Sequence, residues 1–181
     1  EALPGTEVIG RFVEPYFDRS PERFSSHKQT PPSLKQGSPA LTIRGKAVYI
    51  ANPFFRSYAQ DAAGICRDVV GALLAKLLPE PAVLTPGLPS TAQVTVLEQP
   101  ALQRFVVHLL YYPMTRRAPD IDIIEEPGIL VEQTVRLRLG KPPRRAALVP
   151  EGRELACTYS NGYAAVTLDR VTGHQAICFE L

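Results

Sequence analysis

The chain lacks tryptophan, contains a single methionine, and has three cysteines without any C-x-x-C spacing. An odd number of cysteines in this arrangement indicates neither a disulfide framework nor a zinc site. No apolar run approaches the ~20 residues that a membrane-spanning helix needs. The chain also has no large excess of charge of one sign, because 20 basic and 18 acidic residues leave a formal net charge of +2. These absences argue against a disulfide-rich scaffold, a membrane protein and a strongly basic nucleic-acid binder.

The cysteines have the character of structural thiols. Cys66 lies in a helical pattern with apolar neighbours, where a reduced thiol acts as a small hydrophobe. We expect the same of Cys157 and Cys178, and reduced thiols favour a cytoplasmic protein. The first residue is Glu1 rather than methionine, so we expect the chain to be part of a longer protein.

The first part of the chain, residues 1–80, begins with strand patterns. Apolar residues at 6–13 predict a strand. Residues 18–37 are rich in Ser, Pro, Lys and Gln, and they predict a long loop. Residues 41–50 then predict either a hairpin or a bent strand, with the turn at Gly45.

A single long helix is predicted after these strands. Asn52 is a typical N-cap residue, and Pro53 is tolerated in the first turn. Apolar residues then recur at three- and four-residue steps, and Pro79 ends the helix. A helix of this apolarity packs on a sheet, yet only two or three strands precede it. We therefore expect the last part of an α/β domain.

The second part, residues 81–181, consists of short β patterns. Leu137 and Leu139 alternate with Arg136 and Arg138, which predicts a strand with one buried and one exposed face. Asn161-Gly162 is the strongest hairpin signal in the chain. Seven short strands without an intervening helix predict an antiparallel β-sandwich; they lie at 92–97, 104–111, 129–139, 146–149, 154–159, 164–168 and 175–181.

Several strings of residues carry a family resemblance. They are HLLYYP at 108–113, RRA at 116–118, IDIIEE at 121–126 and GHQ at 173–175, with PYF at 15–17, FSSH at 24–27 and KAVYI at 46–50. Together they resemble the carboxy-terminal region of bacterial beta-galactosidase-like glycoside hydrolases. Such proteins combine a catalytic barrel, a glutamine-amidotransferase-like trimerisation domain and a terminal β-sandwich. The resemblance implies an α+β chain, with a partial flavodoxin-like or amidotransferase-like α/β unit at 1–80 and the sandwich at 81–181.

The same resemblance implies a function in carbohydrate metabolism without chemistry in this segment. We expect a non-catalytic structural and oligomerisation region, with no catalytic residue, cofactor or metal. Its expected partners are an upstream catalytic barrel of the same parent chain and further copies of itself, together with carbohydrate in one alternative, and neither nucleic acid nor a membrane. The interface candidates are large or polar side chains near the apolar segments: Phe24, His27, Phe54 and Phe55.

Two alternative functions remain open. A sugar-binding sandwich would use exposed aromatic rings, for which the candidates are Tyr112, Tyr159 and Tyr163. An independent hydrolase would use Ser26 and His27 with Asp18 as orienting acid, or two carboxylates of an acidic cluster: Asp120, Asp122, Glu125 and Glu126.

Each of these chemical candidates has a structural interpretation as well. Asp120 and Asp122 alternate with isoleucines, as the exposed face of a strand would. They could then pair with nearby arginines, at 116, 117, 136 or 138. His108 has strongly apolar neighbours, which favour a core or interface imidazole, and His174 follows a glycine in a predicted turn. Neither has a partner at metal-ligand spacing.

Overall fold

The computed structural model describes residues 1–26 and 30–181. Strands account for 49% and helices for 14% of it. The chain divides into two compact units, Glu1–Pro79 and Glu80–Leu181. No helix in the described part is long and apolar enough to cross a membrane.

The first unit contains a three-stranded antiparallel sheet. Its strands β1 (Glu7–Pro15), β2 (Pro32–Arg44) and β3 (Ala47–Ile50) lie in the order β1-β2-β3. The predicted turn at Gly45 is confirmed, since this residue has a φ of 57° between paired strands. The predicted loop at 18–37 is shorter than expected, because its last residues pair with β1.

Two helices follow the sheet where one was predicted. They are α1 (Phe54–Asp61) and α2 (Gly64–Leu77). The chain leaves the helical path at Ala62, which has a φ of 50° and donates its N–H to the Tyr58 carbonyl. Asn52 does not cap α1 through its side chain, because the helix begins after Pro53. The apolar stripe continues through the break, so the periodicity did not reveal it.

The predicted α/β fold of the first unit is wrong. Flavodoxin-like and amidotransferase-like folds need parallel strands joined by helical crossovers. In the described part of this unit all strand pairs are antiparallel, and both helices follow the third strand instead of connecting strands. The order of strand and helix patterns along the chain does not determine whether the strands pair parallel or antiparallel, and the α/β prediction failed for this reason.

The second unit is a β-sandwich, as predicted. Its strands are β4 (Val83–Leu84), β5 (Gln93–Gln99), β6 (Arg104–Leu110), β7 (Thr115–Ala118), β8 (Ile121–Ile123), β9 (Ile129–Arg138), β10 (Arg145–Val149), β11 (Thr158–Ser160), β12 (Tyr163–Thr172) and β13 (His174–Glu180). Two four-stranded antiparallel sheets have the strand orders β10-β13-β6-β5 and β11-β12-β9-β4. Strands β7 and β8 form a separate two-stranded hairpin, and a 3-10 turn, Pro100–Leu102, precedes β6.

The core of this unit lies between the two four-stranded sheets. Alternate residues of β6, β9 and β13 point inward and are almost completely buried, among them Val107, Val135, Leu137 and Phe179. The alternation predicted around Leu137 is therefore confirmed. The Asn161-Gly162 turn is also confirmed, with φ angles of 50° and 79° between β11 and β12, as a type I′ hairpin requires.

At one end of the sandwich, two glycines, Gly128 and Gly173, lie in close contact with the side chains of Tyr111 and Tyr112. The Tyr111 N–H donates to the Gly173 carbonyl at 2.6 Å, and the Gly128 N–H donates to the Tyr111 carbonyl at 2.8 Å. The Gly173 N–H donates in turn to the Gly128 carbonyl at 2.9 Å. A Cβ atom at position 128 would lie 2.2 Å from the Tyr111 ring, and one at 173 would lie 2.6 Å from the Tyr112 hydroxyl. The close approach of ring and backbone therefore requires glycine.

Candidate functional site

An apolar groove lies between the two helices of the first unit. Helix α1 contributes Phe54, Phe55 and Tyr58, and Tyr58 follows the two phenylalanines by four and three residues, so it neighbours both on the helix surface. Helix α2 contributes Cys66 and, at four-residue steps, Val70 and Leu74. The groove has a volume of about 340 Å³, and Arg67 and Gly71 complete its lining. Phe55 is 72% and Leu74 51% exposed, so the groove walls face solvent.

The structure divides the interface candidates between two places. Phe54 and Phe55 both line this groove, which we call the helical groove. Phe24 is 77% exposed and lies instead in an open cleft of about 500 Å³ beside Tyr16 and Phe17. His27 lies outside the described residues.

The described residues provide no side-chain arrangement that supports the serine-based hydrolase hypothesis. Ser25 accepts a hydrogen bond from the Arg19 guanidinium at 3.0 Å. The predicted pairing of Ser26 with His27 is not tested, because His27 lies outside the part that the structure describes.

The acidic cluster lies on the surface hairpin of β7 and β8. The Arg116 Nε lies 2.6 Å from an Asp122 carboxylate oxygen, and Arg117 forms an ion pair with Glu125. All four partners are largely exposed, and exposed pairs typically contribute less than about 1 kcal/mol. Asp122 lies on the hairpin itself, and Glu125 follows β8 by two residues. Arg138 pairs elsewhere, with Glu80.

The three tyrosines proposed for sugar contact do not share a platform. Tyr159 packs against the core and donates its hydroxyl to the Leu139 carbonyl at 2.8 Å. Tyr163 donates to the Pro81 carbonyl, also at 2.8 Å. Tyr112 is 40% exposed and rests against Gly173 at the end of the sandwich. Ring-to-ring contacts on the described residues involve none of these tyrosines.

The three thiols are free in the structure. Burial raises the pKa of Cys178, which is 2% exposed, and also that of the half-buried Cys157. A raised pKa keeps a thiol protonated at neutral pH, so neither is an activated nucleophile. Cys66 is buried on α2, where it lines the helical groove.

The structure brings together two histidines that the sequence analysis treated separately. His108 on β6 and His174 on β13 have ring nitrogens 3.1 Å apart. The apolar neighbours of His108 favoured a core or interface imidazole, but it is these neighbours, Val107 and Leu109, that are completely buried. Nothing in the local sequence connected His108 to a residue 66 positions away. The pairing follows from the register of the two strands, in which His108 lies opposite Ala176.

No group of three or more His, Cys, Asp or Glu side chains in the described ranges could hold a metal ion. Five cavities on these ranges are each lined by at most one carboxylate: Glu22, Glu98, Glu154 or Glu180. The described part therefore offers a β-sandwich and a helical groove, and none of these five cavities is lined by paired carboxylates.

Comparison with solved structures gives this architecture a relative. The chain is similar to alpha-L-fucosidase isoenzyme 2 from Paenibacillus thiaminolyticus, with a TM-score of 0.88 and 31% sequence identity. The match covers 97% of this chain and 27% of that one, so the chain spans about a quarter of the fucosidase. No protein-family model matches the chain, and no curated protein matches it. The chain is thus related to part of a glycoside hydrolase, which confirms the family resemblance at that level.

Proposed function

We propose that this chain is a non-catalytic structural and assembly region of a glycoside hydrolase. Its partners in this proposal are a catalytic barrel of the same parent chain and a second copy of itself. The relation to a fucosidase over 97% of the chain supports a role within such an enzyme. The substrate to assay first for the parent is an α-L-fucoside, with β-galactosides second.

The arrangement of carboxylates supports the absence of catalysis. Glycosidases generally place two carboxyl groups on either side of the scissile bond, about 5 to 10 Å apart within one site. Here Asp122 and Glu125 are each occupied by an arginine on an exposed hairpin. None of the five cavities described above is lined by more than one carboxylate. We therefore place the chemistry outside this segment.

The helical groove is the observation that carries the assembly role. In the described part of the first unit, the buried hydrophobic side chains are Ile43, Cys66 and Leu73. Phe55 and Leu74 remain more than half exposed beside them. Contiguous apolar surface of this kind marks interaction sites in soluble proteins.

A second copy of the chain is the occupant that we propose for the groove. Phe55 both lines the groove and projects from it, so a two-fold axis would place the ring of each copy in the groove of the other. Such an interface is self-complementary, as two-fold dimers require. Large aromatic side chains in a pocket are also the residues that dominate interface energies.

Light scattering on the purified 181-residue chain tests the assembly role. We expect a defined oligomer, and we expect Phe55→Ala to shift the chain toward the monomer, because truncated interface anchors typically cost 2 kcal/mol or more, roughly 30-fold in affinity. Leu102→Ala is the matched control, since Leu102 is 60% exposed and is not one of the residues that line the groove. A wild-type monomer, or equal effects of both substitutions, would contradict the proposed interface.

The absence of catalysis needs its own assay on the same sample. Chromogenic α-L-fucosides and β-galactosides should remain uncleaved by the chain. Turnover that disappears in Asp122→Asn or Glu125→Gln would transfer the chemistry to this segment and overturn the proposal.

A further inference from the structure

The outer face of one sandwich sheet holds the two histidines side by side. Val107 and Leu109 flank His108 on β6 and are completely buried, so alternation directs His108 away from the core. His174 lies on the adjacent strand β13, opposite Leu110, while His108 lies opposite Ala176. The two histidines are therefore diagonal neighbours on the same face of the sheet.

The rings are joined through their nitrogens. His108 Nδ1 lies 3.1 Å from His174 Nε2, the ring planes differ by 7°, and the centroids are 5.4 Å apart. The centroid separation exceeds the nitrogen distance by about two ring radii, which places the rings edge to edge in nearly one plane. One imidazole donates an N–H and the other accepts it, since a neutral imidazole has one donor and one acceptor nitrogen.

We propose that His108 and His174 form a binding site for one borderline divalent ion such as Zn²⁺, Ni²⁺ or Cu²⁺. Imidazole nitrogens suit these ions and not Mg²⁺ or Ca²⁺, which prefer oxygen ligands. Binding requires a change of tautomer: the N–H proton of the neutral donor imidazole passes through solvent from the bridging nitrogen to the other nitrogen of the same ring, and both bridging nitrogens then offer lone pairs to the ion. The proposal is independent of the assembly role.

The observed spacing fits two ligands of one ion. With Zn–N distances of about 2.0–2.1 Å, two nitrogens lie about 2.9 Å apart at a right angle and about 3.3 Å apart at the tetrahedral angle. The observed 3.1 Å falls between these values. Because the two nitrogens face each other in the observed arrangement, each ring must turn by roughly 35–45° to direct its lone pair at the ion, and His174 is exposed enough to allow such a rotation.

The scaffold around the pair is rigid. Strands β6 and β13 are the two interior strands of their sheet, each hydrogen-bonded on both sides. Sites built on paired strands hold their ligands more accurately than sites on loops. Because the described residues provide no third His, Cys, Asp or Glu ligand, water fills the remaining positions and the ion stays open to an exogenous ligand.

Calorimetric titration of the tag-free, chelator-treated chain with Ni²⁺ and Zn²⁺ tests the site. We expect one ion per chain, with affinity at least about tenfold weaker in His108→Ala and in His174→Ala, because each removes half of the protein ligands. His27→Ala is the matched control, since the chain has three histidines, and it should bind as the wild type does. Mg²⁺ should bind far more weakly than Zn²⁺.

NMR of the histidine rings supplies a second readout. Diamagnetic Zn²⁺ should shift the ring signals of His108 and His174 and leave those of His27 unchanged. Binding that survives in both alanine variants, binding lost in His27→Ala, or no binding at all would overturn the proposal. Circular dichroism of the variants separates loss of the ligand from loss of the fold, and the exposed His174 provides the safer of the two substitutions.

Discussion

Replacing Gly128 with alanine should destabilise the second unit through a single steric conflict. The new Cβ would lie 2.2, 2.4 and 2.7 Å from three atoms of the Tyr111 ring, all closer than side-chain contacts allow. Gly128 is buried, and its N–H and carbonyl bind Tyr111 and Gly173. The backbone therefore cannot move away without breaking hydrogen bonds, and the ring must move instead.

The expected cost follows from that displacement. Overpacking a well-packed site typically costs about 1–3 kcal/mol, and Tyr111 packs against the main core of the sandwich. We expect a decrease of about 3 kcal/mol in the free energy of unfolding, the upper end of this range. For a domain of this size, each kcal/mol lowers the melting temperature by about 4–8 °C. Gly128→Ala should then melt at least about 12 °C below the wild type.

Urea unfolding of the whole chain, followed by circular dichroism, measures this cost. Gly140→Ala is the matched control, because no atom lies within 4 Å of its added Cβ; its stability should change by no more than about 0.5 kcal/mol. Gly128→Ala is also measured in the Tyr111→Ala variant, which lacks the ring that the new Cβ would contact. If Gly128→Ala costs as much in that background as in the wild type, the steric reasoning is refuted.

Three further predictions concern stability. Gly71→Ala in α2, introduced into the Phe55→Ala variant so that no partner ring occupies the groove, should raise the free energy of unfolding by about 0.5–1 kcal/mol in thermal melts, because alanine favours the helix and nothing lies within 4 Å; a decrease would show a contact that the structure does not. Tyr159→Phe should lose about 1 kcal/mol in urea unfolding, because the Leu139 carbonyl loses its donor; an unchanged midpoint would mean that water replaces the bond. Stability should also fall above about pH 8.5, where the unfolded thiol titrates, because burial raises the pKa of Cys178 in the folded chain. Cys178→Ala should flatten that decline in unfolding curves measured between about pH 8 and 10, and an unaltered slope would assign it to other groups.

Much of the second unit could be predicted from local patterns. The alternation of Leu137 with Arg136 and Arg138 predicted the buried and exposed faces of β9, and burial confirms them. The Asn161-Gly162 turn was predictable because few other residues tolerate two consecutive positive φ angles. Strands with one buried and one exposed face, and tight turns, can be predicted from the sequence because both depend on residues that are close together in the chain.

The first unit shows where such patterns fail. An apolar stripe predicted one helix, yet the chain turns at Ala62, a residue that is also compatible with a helix. Strand and helix signals in succession predicted an α/β domain, whereas β1, β2 and β3 pair antiparallel. Local spacing determines which segments are helix or strand, but pairing direction depends on contacts between distant segments.

The sequence by itself determined the β-sandwich of the second unit, its main strands and its tightest turn, because backbone preferences and side-chain periodicity act within a few residues. Only the tertiary structure decided which polar side chains meet. The register of β6 and β13 joins His108 to His174, and the β7–β8 hairpin joins Asp122 to Arg116. It also placed Gly128 beneath Tyr111. Each of these contacts depends on a register set by the whole sheet or hairpin, and a one-residue slip would have exchanged the partners.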